Sequence, residues 1–114
     1  MGRAYDAWDN LKKSWVEADT DALWALYAPQ AVYLEALNPP HEGRDLIRSY
    51  CDDFISARPN IAIDETRVID GGEAIAVEWL FSFDQPTRRV TNLRRCSVIT
   101  VDADGLILYH RDYT

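Results

Sequence analysis

IAIDETRVIDGGEAIAVEWLFSFDQPTRRVTNLRRCSVITVDADGLILYHRDY, residues 61–113, is the stretch that decides the fold. Ile61–Ile69 is rich in β-branched residues and ends at Asp70-Gly71-Gly72, a strong hairpin signal. Ala74–Phe83 alternates cleanly, with Ile75, Val77, Trp79, Phe81 and Phe83 on one face and Glu78, Ser82 and Asp84 on the other. Gln85–Arg89 turns the chain, Val90–Val101 is a long strand, Asp102–Gly105 is another turn, and Leu106–Tyr113 is the last strand. Four consecutive strands with short connections predict an antiparallel meander, one face of which needs a cover.

The cover comes from upstream. Ala4, Trp8, Leu11 and Trp15 recur at helical spacing among Asp, Asn and Lys, so residues 3–18 read as an amphipathic helix. Asp19, Thr20 and Asp21 offer caps for a short second helix carrying Leu23, Trp24, Leu26 and Tyr27, which Pro29 closes. Ala31–Ala36 reads as a strand, with Val32 and Leu34 on one face and Tyr33 and Glu35 on the other. The two prolines of NPPHEG (38–43) exclude helix and central strand, so it is a loop. Arg44 to about Ala57 is a third helix, with Leu46, Ile47, Tyr50, Phe54 and Ile55 on one face and Pro59 as its stop. The predicted fold is α+β, one domain over residues 1–114, with three N-terminal helices on a curved, mostly antiparallel sheet around an apolar pocket.

Composition narrows the function. The formal charge is −7, which disfavours nucleic acid and anionic membrane surfaces as partners. Arg88, Arg89, Arg94 and Arg95 cluster, a pattern that suits a solvated hairpin end offsetting nearby acids. The two cysteines, Cys51 and Cys96, lack the spacing of a zinc site or a secreted disulfide scaffold. His41 and His110 lack ligand spacing, so neither metal nor cofactor is expected. No apolar run approaches the ~20 residues of a membrane span. The N-terminus has no signal-peptide pattern, and a cytoplasmic location is the expectation.

The block ADTDALWALYAPQAVYLEALNPPHEGRDLIRSY (18–50) combines an acidic ADxDAL cap, an LYAPxAVY helix-to-strand step, a Pro-rich loop and a Gly that starts the next helix. The ending DADGLILYHRDY (102–113) is a Gly turn followed by a strand closing in RDY. In this order and spacing the motifs resemble the nuclear transport factor 2-like superfamily, specifically its SnoaL-like polyketide cyclase branch. The resemblance covers nearly the whole chain and implies a cone-shaped fold with an apolar cavity. That fold hosts ketosteroid isomerases, limonene-epoxide hydrolases, scytalone dehydratases, polyketide cyclases and non-catalytic binding proteins, so it does not by itself give a function. The chain stops at Thr114, where such relatives usually continue, and the expectation is a cone mouth that is more open or is closed by a partner.

Two pairs of residues are candidates for chemistry. Tyr33 and Glu35 share one strand face, and the resemblance matches Glu35 to the general-base carboxylate of ketosteroid isomerases. It also matches Tyr33 and Glu35 to the water-positioning Tyr and Asn of limonene-epoxide hydrolases. A carboxylate in an apolar pocket has its charged form disfavoured, which moves it toward useful proton transfer. His110 and Asp112 share a face of the last strand. The resemblance makes Asp112 the acid or acid/base carboxylate of the hydrolases and cyclases, and His110 can exchange protons near neutrality.

Arg94 is the third element. Asn92, Arg94, Cys96 and Val98 share one strand face, the resemblance places Arg94 and Cys96 at pocket-lining positions of the hydrolases, and a bulge would bring in Arg95 instead. Either arginine would need Asp112 or Glu35 as a partner. The walls are expected from Leu11, Trp15, Tyr50, Phe54, Trp79, Phe81 and Cys96.

Two departures from the relatives matter. The Arg and Asp of the epoxide hydrolases fall near Trp79 and Phe81 here, and the isomerases' oxyanion donors fall at Leu11 and at Cys96 or Ser97. Neither mechanism therefore transfers whole. The reading is a cofactor-free acid–base enzyme (isomerase, cyclase, dehydratase or hydrolase) on a lipophilic cyclic or polyketide-like molecule. The alternative is a non-catalytic ligand-binding or interaction module. Tyr109, Tyr113, Ile107 and Leu80 on the uncovered sheet face predict a homodimer packed sheet to sheet.

Overall fold

A computed structural model describes residues 2–114. Helices α1 (Arg3–Glu17), α2 (Thr20–Leu26) and α3 (Arg44–Ala57) pack on one sheet. Its strands are β1 (Tyr27–Glu35), β2 (His41–Glu42), β3 (Ala62–Asp70), β4 (Ala74–Asp84), β5 (Arg89–Val101) and β6 (Ile107–Tyr113). The order across the sheet is β2-β1-β6-β5-β4-β3. All pairings are antiparallel except β1 with β6, where the chain's first long strand returns beside its last. The α+β architecture and the mostly antiparallel sheet match the sequence expectation.

Register breaks interrupt four of the pairings, between Tyr27 and Val32, Glu65 and Arg67, Phe81 and Phe83, and Thr100 and Val101. Each extra residue bends its strand and increases local twist, so the sheet curls toward the helices. The break in β5 has the largest consequence. Val90 pairs with Phe83 and Leu93 with Phe81, so Thr91 and Asn92 together oppose Ser82. Asn92 takes φ 55°, a left-handed conformation that Asn tolerates better than most residues, and its N–H donates to Ser82 Oγ at 3.0 Å. Beyond this point the inward set switches, and Arg95, Ser97, Ile99 and Val101 face the helices.

The interior is aromatic. Trp8 lies 5.6 Å from Trp79, and Trp15 makes edge contacts with Phe54 and Phe81 at 5.4 and 6.2 Å. Trp8, Leu11, Tyr27, Leu23, Ile47 and Ile99 are fully buried. Burial at this level stabilises by about 1.5–3 kcal/mol per large side chain, which is what holds the helices on the concave face.

Several local expectations are corrected. Tyr27 begins β1 rather than ending α2, and the strand starts four residues before Ala31. Pro29 is therefore inside a strand, but at the exposed register break where no ladder bond needs its missing N–H. His41 and Glu42 of the predicted loop add a two-residue edge strand on Val32 and Tyr33. Gly43, at φ 90°, turns the chain from that edge into α3 and donates to Ala31 O at 2.7 Å. Leu46 is exposed, and α3 instead buries Ile47 and Cys51. Ile107 is in the core rather than on the uncovered face, because Leu108 is an extra residue between the Thr100–Tyr109 and Val101–Ile107 pairs.

Helix α1 ends with Ala18 at φ 55°, where Ala18 N–H reaches Trp15 O and Asp19 N–H reaches Ser14 O. This is a helix C-terminal turn that glycine fits without the Cβ penalty. Ala18→Gly is expected to stabilise the protein by about 1 kcal/mol, read as a higher urea midpoint with an unchanged slope.

Candidate active site

The site is a row of side chains across the sheet. Glu35 on β1 pairs with Asp112 on β6, and Asp112 pairs with Ser97 on β5. One step along, Tyr33 pairs with His110 and His110 with Ile99. Cross-strand partners share a face, so the register alone brings Tyr33, Glu35, Ser97, His110 and Asp112 to the concave side. All are buried.

Asp112 is the centre of the row. Its Oδ1 accepts from Ser97 Oγ at 2.5 Å and lies 2.8 Å from His110 Nε2, and its Oδ2 accepts from Tyr33 OH at 2.5 Å. Each donor is held in turn. Trp79 Nε1 donates to Ser97 Oγ at 2.9 Å, and Tyr27 OH lies 2.8 Å from His110 Nδ1. His110 stacks on Tyr33 with ring centroids 4.3 Å apart.

Burial on its own would push the Asp112 carboxyl up. The charge and hydrogen bond of His110, with the hydroxyls of Ser97 and Tyr33, outweigh burial and hold it below the ordinary aspartate value. Asp112 is thus a carboxylate at neutral pH. The two ring nitrogens of His110 thus bridge the Asp112 carboxylate and the Tyr27 hydroxyl. The phenols of Tyr27 and Tyr33 are pushed well above their ordinary range, first by burial and then by neighbouring acidic groups, so they remain donors. The expectation that burial raises a pocket carboxylate is reversed at Asp112, because three donors solvate the charge better than apolar walls penalise it.

Glu35 sits at the edge of the row. Its Oε1 is 3.4 Å from Arg95 Nη1, and its Oε2 accepts from Asn38 Nδ2. Arg94 is exposed and pairs across to Leu80 on the outer face, so it is not a site residue. Cys96 is likewise not part of the wall, since it pairs with Glu78 and Tyr113 on that outer face. The Asn92 bulge is the reason for both: it moves the inward positions from the even-numbered to the odd-numbered residues of β5.

The walls of the chamber include Leu11, Trp15, Tyr50, Phe54, Trp79 and Phe81, as well as Trp8, Lys12 and Ile63. The free volume is about 30 Å³, room for roughly one or two waters. A wider cleft of about 430 Å³ adjoins it, lined by Asn38, Asp53, Arg58, Phe83 and Gln85. Glu35, Tyr50, Phe54 and Arg95 border both spaces and form the throat between them. Among the described residues no cluster of three metal-binding side chains occurs, and no helix is long and apolar enough to cross a membrane.

Sequence reading missed Ser97 and Tyr27. Ser97 was legible in principle as the cross-strand partner of Asp112, but the extra residue at Leu108 hides that register from any count starting at the turn. Tyr27 was read as the end of a helix.

With this geometry in view, comparison with known proteins is decisive for the family. The SnoaL-like domain matches residues 2–110. The chain belongs to the SnoaL-like domain family. No curated protein matches the sequence. Solved structures of the same fold are similar at low identity. The Delta 5-3-ketosteroid isomerase from Mycobacterium sp. is 18% identical over 100% of this chain and 94% of that one, with a TM-score of 0.88. A limonene-epoxide-hydrolase-like (LEH-like) epoxide hydrolase of M. tuberculosis is 22% identical over 97% and 81%, with a TM-score of 0.84. The M. tuberculosis protein RV0760c, solved in complex with estradiol-17beta-hemisuccinate, is 17% identical over 100% and 95%, with a TM-score of 0.88. The relatives of this SnoaL-like domain thus include an isomerase and a hydrolase on the same scaffold.

Tyr33→Phe removes one donor from Asp112. It is expected to cost about 1–2 kcal/mol at pH 7 and to move the Asp112 ionisation upward, read by carboxyl carbon NMR. A carboxyl held below its ordinary value stabilises the fold above that value, 3.8, and loses the contribution as pH falls through the folded value. The stability gap between the wild type and Tyr33→Phe should therefore be full at neutral pH and shrink below about pH 4.

Proposed function

We propose that this SnoaL-like protein is a cofactor-free acid–base enzyme, of the isomerase, cyclase, dehydratase or hydrolase type, acting on a lipophilic cyclic small molecule. The observation that carries the reading is Asp112, a buried carboxylate in the chamber wall, kept ionised by Ser97, His110 and Tyr33. An ionised carboxylate at rest is a base. Its Oδ2 accepts one bond, from Tyr33, and keeps a lone pair for a substrate proton. Proton abstraction at Oδ2 leaves Tyr27 and His110 hydrogen-bonded behind it, and the same oxygen returns the proton to another atom of the bound molecule.

The aromatic walls exclude water and favour a flat or cyclic body. A chamber of about 30 Å³ is too small for a ring, so substrate entry displaces side chains at the throat. Glu35 acts there through Arg95, which it orients, rather than as a second base.

The test is hydrogen–deuterium exchange at the carbon next to the carbonyl of a cyclic monoketone such as 1-tetralone, followed by proton NMR. Exchange should be catalysed by the wild type and slowed roughly 10²–10⁴-fold in Asp112→Asn. With the base depressed below 3.8, the rate should fall only as the solution is acidified past that region and stay flat above it. An Asp112→Asn rate equal to that of the wild type overturns the assignment.

A second reading, a ligand-binding module without catalysis, draws support from the mutual pairing of the polar groups, Glu35 with Arg95 and Asp112 with three donors. Under it the ketone binds wild type and Asp112→Asn alike, and neither protein speeds its exchange.

A further inference from the structure

Arg95 is a mostly buried cation with an incomplete set of partners. Its side chain is 11% exposed. Its one hydrogen-bonded partner among the described residues is Glu35 Oε1, 3.4 Å from Nη1, which is a long contact for a charged pair. Glu35 divides its attention, since its other oxygen takes Asn38 Nδ2. Arg95 Nε is buried and has no hydrogen-bond partner among the described residues. A buried guanidinium N–H left unmade costs more than the bond it forgoes, so the position calls for an acceptor that the folded chain does not supply. The other polar groups nearby are committed: Trp79 Nε1 to Ser97, and the hydroxyls of Ser97 and Tyr33 to Asp112.

The shape of the guanidinium says which acceptor fits. Nε–H and one Nη2–H lie parallel on one edge, at the spacing of two carboxylate oxygens. Glu35 meets the group through Nη1, away from that edge. A neutral carbonyl would occupy Nε alone. A carboxylate would occupy both donors and supply the negative charge that Glu35, at 3.4 Å, provides only partly.

Arg95 borders both the chamber and the cleft. The cleft wall beside it carries Tyr50, Phe54 and Phe83, with Phe54 and Phe83 in edge contact at 5.7 Å. The cleft's charged side chains are Glu35, Asp53, Arg58 and Arg95, two of each sign, so it holds no general attraction for anions. Selection must come from the Arg95 fork together with the aromatic wall.

We propose that the Nε edge of Arg95 is a carboxylate-binding site at the throat, and that the natural ligand is an amphipathic cyclic or aromatic carboxylate whose apolar body lies on Tyr50, Phe54 and Phe83. The proposal rests on the reading of this cavity as a small-molecule site, and it does not depend on catalysis at Asp112.

Equilibrium titration of 2-naphthoate and its neutral isostere 2-naphthamide, followed by amide NMR shifts or calorimetry, tests it. Wild type should bind the acid at least tenfold more tightly than the amide, with shifts centred on Arg95, Phe54 and Phe83. Arg95→Gln should erase the preference, and Arg95→Lys, which keeps the charge but not the fork, should retain only part of it. Glu35→Gln, which frees Nη1 from its competing anion, should tighten the acid. Arg58→Gln, at the other cation of the cleft, should leave the preference in place.

Equal binding of acid and amide to wild type, no binding of either, or a preference that survives Arg95→Gln but vanishes in Arg58→Gln would each overturn the proposal. Should Arg95→Gln fail to fold, the Glu35→Gln and Arg95→Lys titrations decide. Asp112→Asn should keep the acid preference, so loss of ketone exchange there and loss of naphthoate binding in Arg95→Gln report separately on the two readings.

Discussion

A negative charge inside a protein must be solvated by the protein, and Asp112 is where this chain meets that requirement. Its donors come from β1, β5 and β6, and their own supports come from β1 and β4: Tyr27 behind His110, Trp79 behind Ser97. An unsolvated carboxylate at this depth would cost several kcal/mol or take up a proton. The network therefore ties four strands to one register at one point. A one-residue slip of β5 or β6 would replace Ser97 or His110 with an outward-facing neighbour and leave the charge without donors.

The same network gives the site its chemical character. Apolar walls alone would make a carboxylic acid; three donors make a carboxylate. The two acids of the pocket consequently differ. Asp112 is solvated by two hydroxyls and an imidazole and keeps a free lone pair, whereas Glu35 is spent on Arg95 and Asn38 at the throat. That division separates a group able to move protons from a group that positions a cation, within one row of the sheet.

The throat matters for how a ligand is received. Glu35, Tyr50, Phe54 and Arg95 separate a water-sized chamber from a cleft more than ten times larger. Closed packing of this kind leaves Asp112 facing a space for about one or two waters at most, and a ligand that reaches it must supply binding energy to part the side chains. Tyr50 and Phe54 stand on one face of α3, so a shift of that helix widens the chamber and the cleft together.

Much of this protein was legible in its sequence. Alternation in Ala74–Phe83 identified the inward face of β4, because period-two burial leaves a direct imprint on residue type. Helical spacing identified Trp8, Leu11 and Trp15, alternation in Ala31–Ala36 put Tyr33 and Glu35 on one face, and alternation in the last strand did the same for His110 and Asp112. What the sequence could not decide was register. Both faces of β5 carry residues that suit either environment, Arg94 and Arg95, Cys96 and Ser97, Val98 and Ile99, so no pattern favours one over the other. The choice was made by the extra residue at Asn92, and that bulge is set by the pairing of β5 with β4, a contact between distant segments. The sign of the Asp112 shift was hidden for the same reason: local sequence shows a carboxylate among apolar residues, and only the assembled sheet brings Tyr33 from one end of the chain and Ser97 from another within 2.5 Å of it.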